Sequence, residues 1–202
     1  MNKILVYQYD LNHEGSILSM MKFAKLISVL CCCAFNSFAD NVFINKYVFE
    51  WGEKDPKVVE NYLRASMNQN PVSAYILGNL YLWGIFLPKN LQKADWYITK
   101  AANMNLPEAI NSIGDGYYSG DIRPQNIKMA LKCYEKAAKM GFGISQFNAG
   151  IVLLNTAKTK KELRLAIFYL DKASKNRNNL KEIADAANRY KQDANKKLKQ
   201  YK

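Results

Sequence analysis

Glycine returns every 36 residues, at Gly78, Gly114 and Gly150, and alanine keeps the same interval at Ala94, Ala130 and Ala166. Seven residues after each of those alanines stands another, Ala101, Ala137 and Ala173, so two small-residue positions hold register through three copies without an insertion. A period of about 20 to 50 residues specifies stacked supersecondary units, none of which can bury its apolar face alone. Chains built this way present extended surfaces, which suits binding better than chemistry.

Within the first clear copy, residues 71–106, the run Pro71 to Gly84 places Ser73, Leu77, Leu80 and Tyr81 on one face at helical spacing. Proline suits the first turn of that helix and Gly84 suits its end. After a loop over 85–90, Leu91 to Ala102 predicts a second helix with Ala94, Tyr97, Ile98 and Ala101 on one side. Residues 107–142 repeat the design almost position by position. Residues 143–178 repeat it more loosely, with Leu153 where the tyrosine stood and Thr156 in place of the second glycine. Antiparallel helices approach to about 8 Å only where side chains are small. Gly78, Gly114, Gly150, Ala94, Ala130 and Ala166 are therefore expected to be structural, close packing outweighing the roughly 1 kcal/mol that a mid-helix glycine costs against alanine.

The pattern A-x-x-x-L-G-x-x-Y-x-x-G, a short loop, then K-A-x-x-W/Y-x-x-x-A-A-x-x-G resembles the Sel1-like repeat, a relative of the tetratricopeptide repeat. Lys93-Ala94-Asp95-Trp96-Tyr97 with Ala101-Ala102, and Lys136 to Gly141, carry the resemblance, which spans about residues 71–175. Ser73 stands where the first alanine belongs and the loops lack the usual G-x-G. The resemblance implies an all-α fold, a right-handed α-solenoid of antiparallel helix pairs, whose first helices line a concave binding face. Outward positions on those helices are then Tyr75, Asn79, Leu82 and neighbouring Trp83 in copy one. They are Asn111, Asp115 and Tyr118 in copy two, and Phe147, Ile151 and Leu154 in copy three. Aromatics at such places suit an interface, although a C-terminal helix folding over the copy-three stripe would serve Phe147, Ile151 and Leu154 equally well.

Residues 40–70 read as a degenerate first unit, because counting back 36 from Ala101 reaches Ala65 in a run, 57–66, with the second-helix pattern. At the other end, Leu180, Ile183, Ala184, Ala187, Tyr190 and Ala194 recur among lysines and predict a one-sided capping helix within 179–202. The first 39 residues differ in kind. A basic head at Met21 to Lys25, an apolar run from Leu26 to Phe35 and small residues at Ser37 and Ala39 predict a secretory signal peptide cleaved after Ala39. Its poor leading stretch places the expected translation start at Met20 or Met21.

Removing 1–39 discards Cys31, Cys32 and Cys33, leaving Cys133 alone, and discards His13, the one histidine. Histidine-based triads and metal sites are thereby excluded from residues 40–202. Acids such as Asp95, Asp115, Glu135 and Asp171 are expected on the repeat surface, with no apolar surroundings to raise a pKa, so no catalytic residue, metal or cofactor is expected. The first 39 residues hold three cations and two acids, so residues 40–202 keep 26 basic residues against 15 acidic ones, the excess gathered after Lys158. Such a balance suits an acidic partner; with export, nucleic acid is not expected, nor is a membrane span in the mature chain. The sequence therefore reads as an exported, periplasmic protein-binding module of bacterial type. Immunity-type neutralisation of a toxic effector is the most specific role, a cell-envelope scaffold the alternative, and a wall-acting enzyme the third.

Overall fold

The computed structural model describes residues 54–200; the signal-peptide expectation and residues 40–53 of the degenerate unit lie outside them. Among the described residues there are eight α-helices and no strand. They are α1 (Pro56–Ser66), α2 (Pro71–Trp83), α3 (Leu91–Asn103), α4 (Pro107–Ser119), α5 (Ile127–Lys139), α6 (Gly143–Thr156), α7 (Lys160–Lys175) and α8 (Lys181–Gln200). The fold is an all-α solenoid of helix pairs. The chain divides into two compact bodies, separated within α4 between Ala109 and Ile110.

In residues 54–109, α2 packs against both α1 and α3. Asparagine opens the two long helices: Asn70 Oδ1 accepts from Val72 N, and Asn90 Oδ1 accepts from Lys93 N at 2.9 Å. Gly84 closes α2 with φ 66, a left-handed conformation that glycine adopts without strain. A Cβ on Gly78 would stand 2.7 Å from Ile98 Cγ1, so α2 and α3 touch here with no room for a side chain. Ser73, where an alanine belongs, is fully buried and its hydroxyl accepts from Ser66 at 2.8 Å.

The first unit is offset by 35 residues rather than 36. Asp55 caps α1 as Asn90 caps α3, and the buried residues of α1 are Val59 and Leu63, which match Ala94 and Ile98 at that offset. Ala65, expected inward, is exposed. The shift has a local cause, because cap geometry sets helix phase and Asp55 with Pro56 starts α1 there.

In residues 110–200, α4 meets α5 through Gly114, α5 packs on α6, α6 on α7, and α8 covers both α7 and α6. A Cβ on Gly114 would lie 2.6 Å from Tyr134 Cε1, and one on Gly150 2.6 Å from Leu170 Cγ. The residues that the three glycines face, Ile98, Tyr134 and Leu170, are themselves 36 apart. Asn126 caps α5 one period after Asn90, and the loop before each cap closes alike, Asn90 N to Tyr81 O at 2.9 Å and Asn126 N to Tyr117 O at 2.8 Å. The third copy breaks this pattern. Thr159 and Glu162 form a reciprocal capping box, which starts α7 one turn earlier than the period requires.

The buried face of α8 is Ile183, Ala186, Ala187 and Ala194, with Tyr190 partly buried. Leu180, expected on that face, is exposed, because it precedes the helix and its carbonyl accepts the first-turn N–H groups of Ile183 and Ala184. Lys191 Nζ reaches Asp171 Oδ1 at 3.0 Å and Lys197 Nζ donates to Leu154 O at 3.1 Å, tying α8 to α7 and α6.

Candidate partner-binding surface

First helices carry the positions expected to face a partner, and their neighbours decide which remain open. On α2, Tyr75 and Asn79 are buried, Asn79 Nδ2 donating to Tyr75 O at 2.9 Å. Leu82 is partly buried, and Trp83, at the C-terminal end of the helix, is 40% exposed. Trp83 is thus the large accessible group at this end of α2. Sequence reasoning missed a side-chain network in the same body. Tyr81 stacks on Tyr97 with ring centroids 5.8 Å apart, its hydroxyl donates to Glu60 at 2.6 Å, and Glu60 also holds Arg64 at 3.0 Å. The Tyr97 hydroxyl is pushed up by burial, opposed by the nearby Arg64 cation. Tyrosine was legible as filler, but its hydroxyl's partner lay 21 residues away in sequence.

On the second body, Asn111 is buried and Asp115 and Tyr118 are partly buried. Asp115 lies beside the close approach at Gly114, and both its oxygens accept: Oδ1 from Tyr134 OH at 2.8 Å and Oδ2 from Asn111 Nδ2 at 2.8 Å. Asn111 Oδ1 accepts in turn from Ser145 Oγ at 2.7 Å and Asn148 Nδ2 at 3.3 Å. Ser145 stands where Ala109 stands one period earlier. Asn148 Oδ1 is buried without a protein partner among the described residues. Phe147, Ile151 and Leu154 are buried, and α8 is what covers this stripe, with Tyr190 meeting Phe147 at 5.9 Å between ring centroids. They are core residues, so of the two readings open for this stripe the structure favours the one in which the C-terminal helix folds over it.

Asp115 corrects a second expectation. Burial raises its carboxyl from the usual 3.8 to about 6, although the Tyr134 hydrogen bond pulls the other way. Tyr134 itself is held protonated, by burial first and then by the neighbouring carboxylate. Because the folded state binds the Asp115 proton more tightly than the unfolded chain, this group's contribution to stability is greatest below pH 4. It is lost as pH rises to about 6 and is flat above. The full shift corresponds to about 3 kcal/mol, an upper bound because the residue is partly exposed. Urea unfolding of wild type and Asp115→Asn across pH 4 to 8 should show the variant gaining stability relative to wild type through that window. Parallel curves would remove the buried-charge argument.

Both Asp115 oxygens are thus engaged within the core, and Glu108, buried on α4, is a second carboxyl that burial raises, its Oε2 without a partner among the described residues. Among the described residues no cluster of three or more His, Cys, Asp and Glu side chains could hold a metal. Cys133 is half-buried, and burial pushes its thiol up, away from the reactive thiolate. No helix among the described residues is long and apolar enough to cross a membrane.

The comparisons with known proteins agree with this architecture. The Sel1 repeat family model matches residues 71–106, 107–142 and 143–178. A crystal structure of a Sel1 repeat protein from Oxalobacter formigenes is similar at 25% identity and a TM-score of 0.56, over 65% of this chain and 95% of that one. No curated protein matches. With three tandem matches covering more than half of its length, and with glycines, facing residues and loop closures all recurring at the period of those matches, the chain belongs to the Sel1 repeat family.

Proposed function

We propose that this protein works outside the cytoplasm as a non-enzymatic binder of another protein, and that its partner is a toxic effector which it neutralises in the manner of an immunity protein. Sel1 repeats are protein–protein interaction modules, so the coarse reading rests on the family. The observation that carries the finer one is what the fold leaves over. The repeats consume their small residues and most tyrosines in packing, residues 40–202 contain no histidine, and the leader-like segment ahead of Asp40 suits a small exported chain. Stoichiometric occupancy of a surface is the activity such a chain can offer.

With Phe147, Ile151 and Leu154 under α8, the anchors proposed on the first helices are Trp83 in the first body and Tyr118 in the second. Trp83→Ala and Tyr118→Ala, made separately, should each weaken partner binding by about tenfold or more, in the range typical of aromatic anchors. An affinity capture from cell envelopes with the chain from Asp40, read by mass spectrometry against both variants, tests this. Recovery of a toxin or hydrolase that is lost with Trp83→Ala supports neutralisation. Recovery of resident wall or secretion components instead replaces it with a scaffold role.

A further inference from the structure

The helices that follow each loop present an outer face that neither stacking nor the proposed anchors use. In residues 110–200 that face is chemically uniform. Every exposed residue of α7 is a lysine, an arginine, a leucine or a phenylalanine. Leu165 and Phe168, one turn apart, are 37% and 49% exposed, with Lys161 and Arg164 preceding them and Lys172 following, its Nζ standing 4.7 Å from the Phe168 ring centroid. Exposed Met129 occupies on α5 the position that Leu165 occupies on α7, also among lysines. Together α5 and α7 carry nine cations against three carboxylates, Glu135, Glu162 and Asp171. Two of those are engaged, Glu162 by the helix cap and Asp171 by Lys175 and Lys191.

We propose that the outer face of α5 and α7 docks on a bilayer surface rich in anionic phospholipid. Phe168 and Leu165 enter the headgroup boundary while the surrounding cations meet the phosphates. Charge complementarity identifies the occupant, and the shape and composition of the face choose lipid over protein. The apolar pair stands on a helix ridge, and the exposed positions around it on α7 offer no amide, hydroxyl or carboxylate for a partner to read. A fluid surface accommodates a ridge without a matching pocket, and long lysine and arginine side chains can lay their stems along the apolar boundary with their charges at the phosphates. The same pairing of aromatic and cation occurs two periods earlier in residues 54–109, where Trp96 is 55% exposed and Lys100 Nζ lies 5.6 Å from its ring.

The test is co-sedimentation of the full chain with vesicles of phosphatidylcholine, with and without phosphatidylglycerol, in low and high salt. Binding to the anionic vesicles should exceed binding to neutral ones and fall with salt. The double variant Leu165→Ser/Phe168→Ser should lower binding to anionic vesicles by about tenfold, and Lys161→Glu/Arg164→Glu/Lys172→Glu by more, neither changing the neutral-vesicle value. All five positions are exposed, so an unchanged melting temperature certifies folding. Equal binding to both vesicle types overturns the proposal. So does anionic binding that ignores the Leu165/Phe168 change, which is adsorption by charge alone. Tight, Phe168-dependent binding of soluble polyglutamate without vesicle binding also overturns it, in favour of an acidic protein.

Discussion

Gly114→Leu is expected to abolish cooperative folding of residues 110–200. A single Cβ at this position would already lie 2.6 Å from Tyr134 Cε1 and 2.8 Å from Cδ1. The ring cannot give way, because Tyr134 is fully buried and its hydroxyl is fixed on Asp115, which Asn111 holds from the other side. Gly114→Ala separates two terms: alanine gains about 1 kcal/mol in helix propensity, while overpacking costs about 1–3 kcal/mol, so a net loss of up to about 2 kcal/mol is expected. Leucine adds three further carbons to the same contact and should exceed the roughly 4 kcal/mol at which single substitutions become exceptional, against a total stability of about 5–15 kcal/mol. Urea unfolding followed by circular dichroism reads both variants. A midpoint for Gly114→Leu equal to wild type would mean that α4 and α5 can separate at no cost, and the steric account of the period would fail.

The second large effect is expected from removing α8. A chain ending at Asn179 would return Phe147, Ile151 and Leu154 toward water and strip the cover from the buried ends of α6 and α7. At about 1.5–3 kcal/mol for each large apolar side chain exposed, the loss is on the order of 5 kcal/mol even with partial relaxation. It also creates a contiguous apolar patch, so aggregation should accompany it. A milder variant, Ala187→Lys, places a charge at a site with no exposed surface and should lower the unfolding midpoint in the intact chain. If the truncated protein stayed monomeric, kept its melting temperature and bound no more of a hydrophobic dye than wild type, α8 would be an appendage rather than a cap.

Much of the fold was legible because its requirement is local and recurrent. Where two helices must touch, the same small residues are needed in every copy, so Gly78, Gly114 and Gly150 announced the repeat, and the structure showed Ile98, Tyr134 and Leu170 opposite them. Cap chemistry was carried by the sequence but not read from it, since Asn90 and Asn126 keep the period yet are informative only once the helix starts are known. Thr159 with Glu162 shows the converse: a strong local cap advanced α7 by one turn and overrode the count. The 35-residue offset of α1 arose in the same way from Asp55 and Pro56.

The candidate surface was less legible. Phe147, Ile151 and Leu154 fitted either an open groove or cover by the C-terminal helix, and only contacts some 43 residues along the chain, Phe147 with Tyr190 and Leu154 with Lys197, decide between the two. Asp115 looked like a surface acid by its place in the repeat, yet its oxygens meet Tyr134 and Asn111 and burial shifts its titration to about 6.

The sequence by itself determined the helix-pair repeat, the family and the sites of closest packing, since sterics at a helix contact depend on residue size at fixed intervals along one chain. Only the tertiary structure decided which first-helix positions α8 closes and which second-helix side chains stay bare. Burial is a property of neighbours brought together in space, and the chain's period does not encode them.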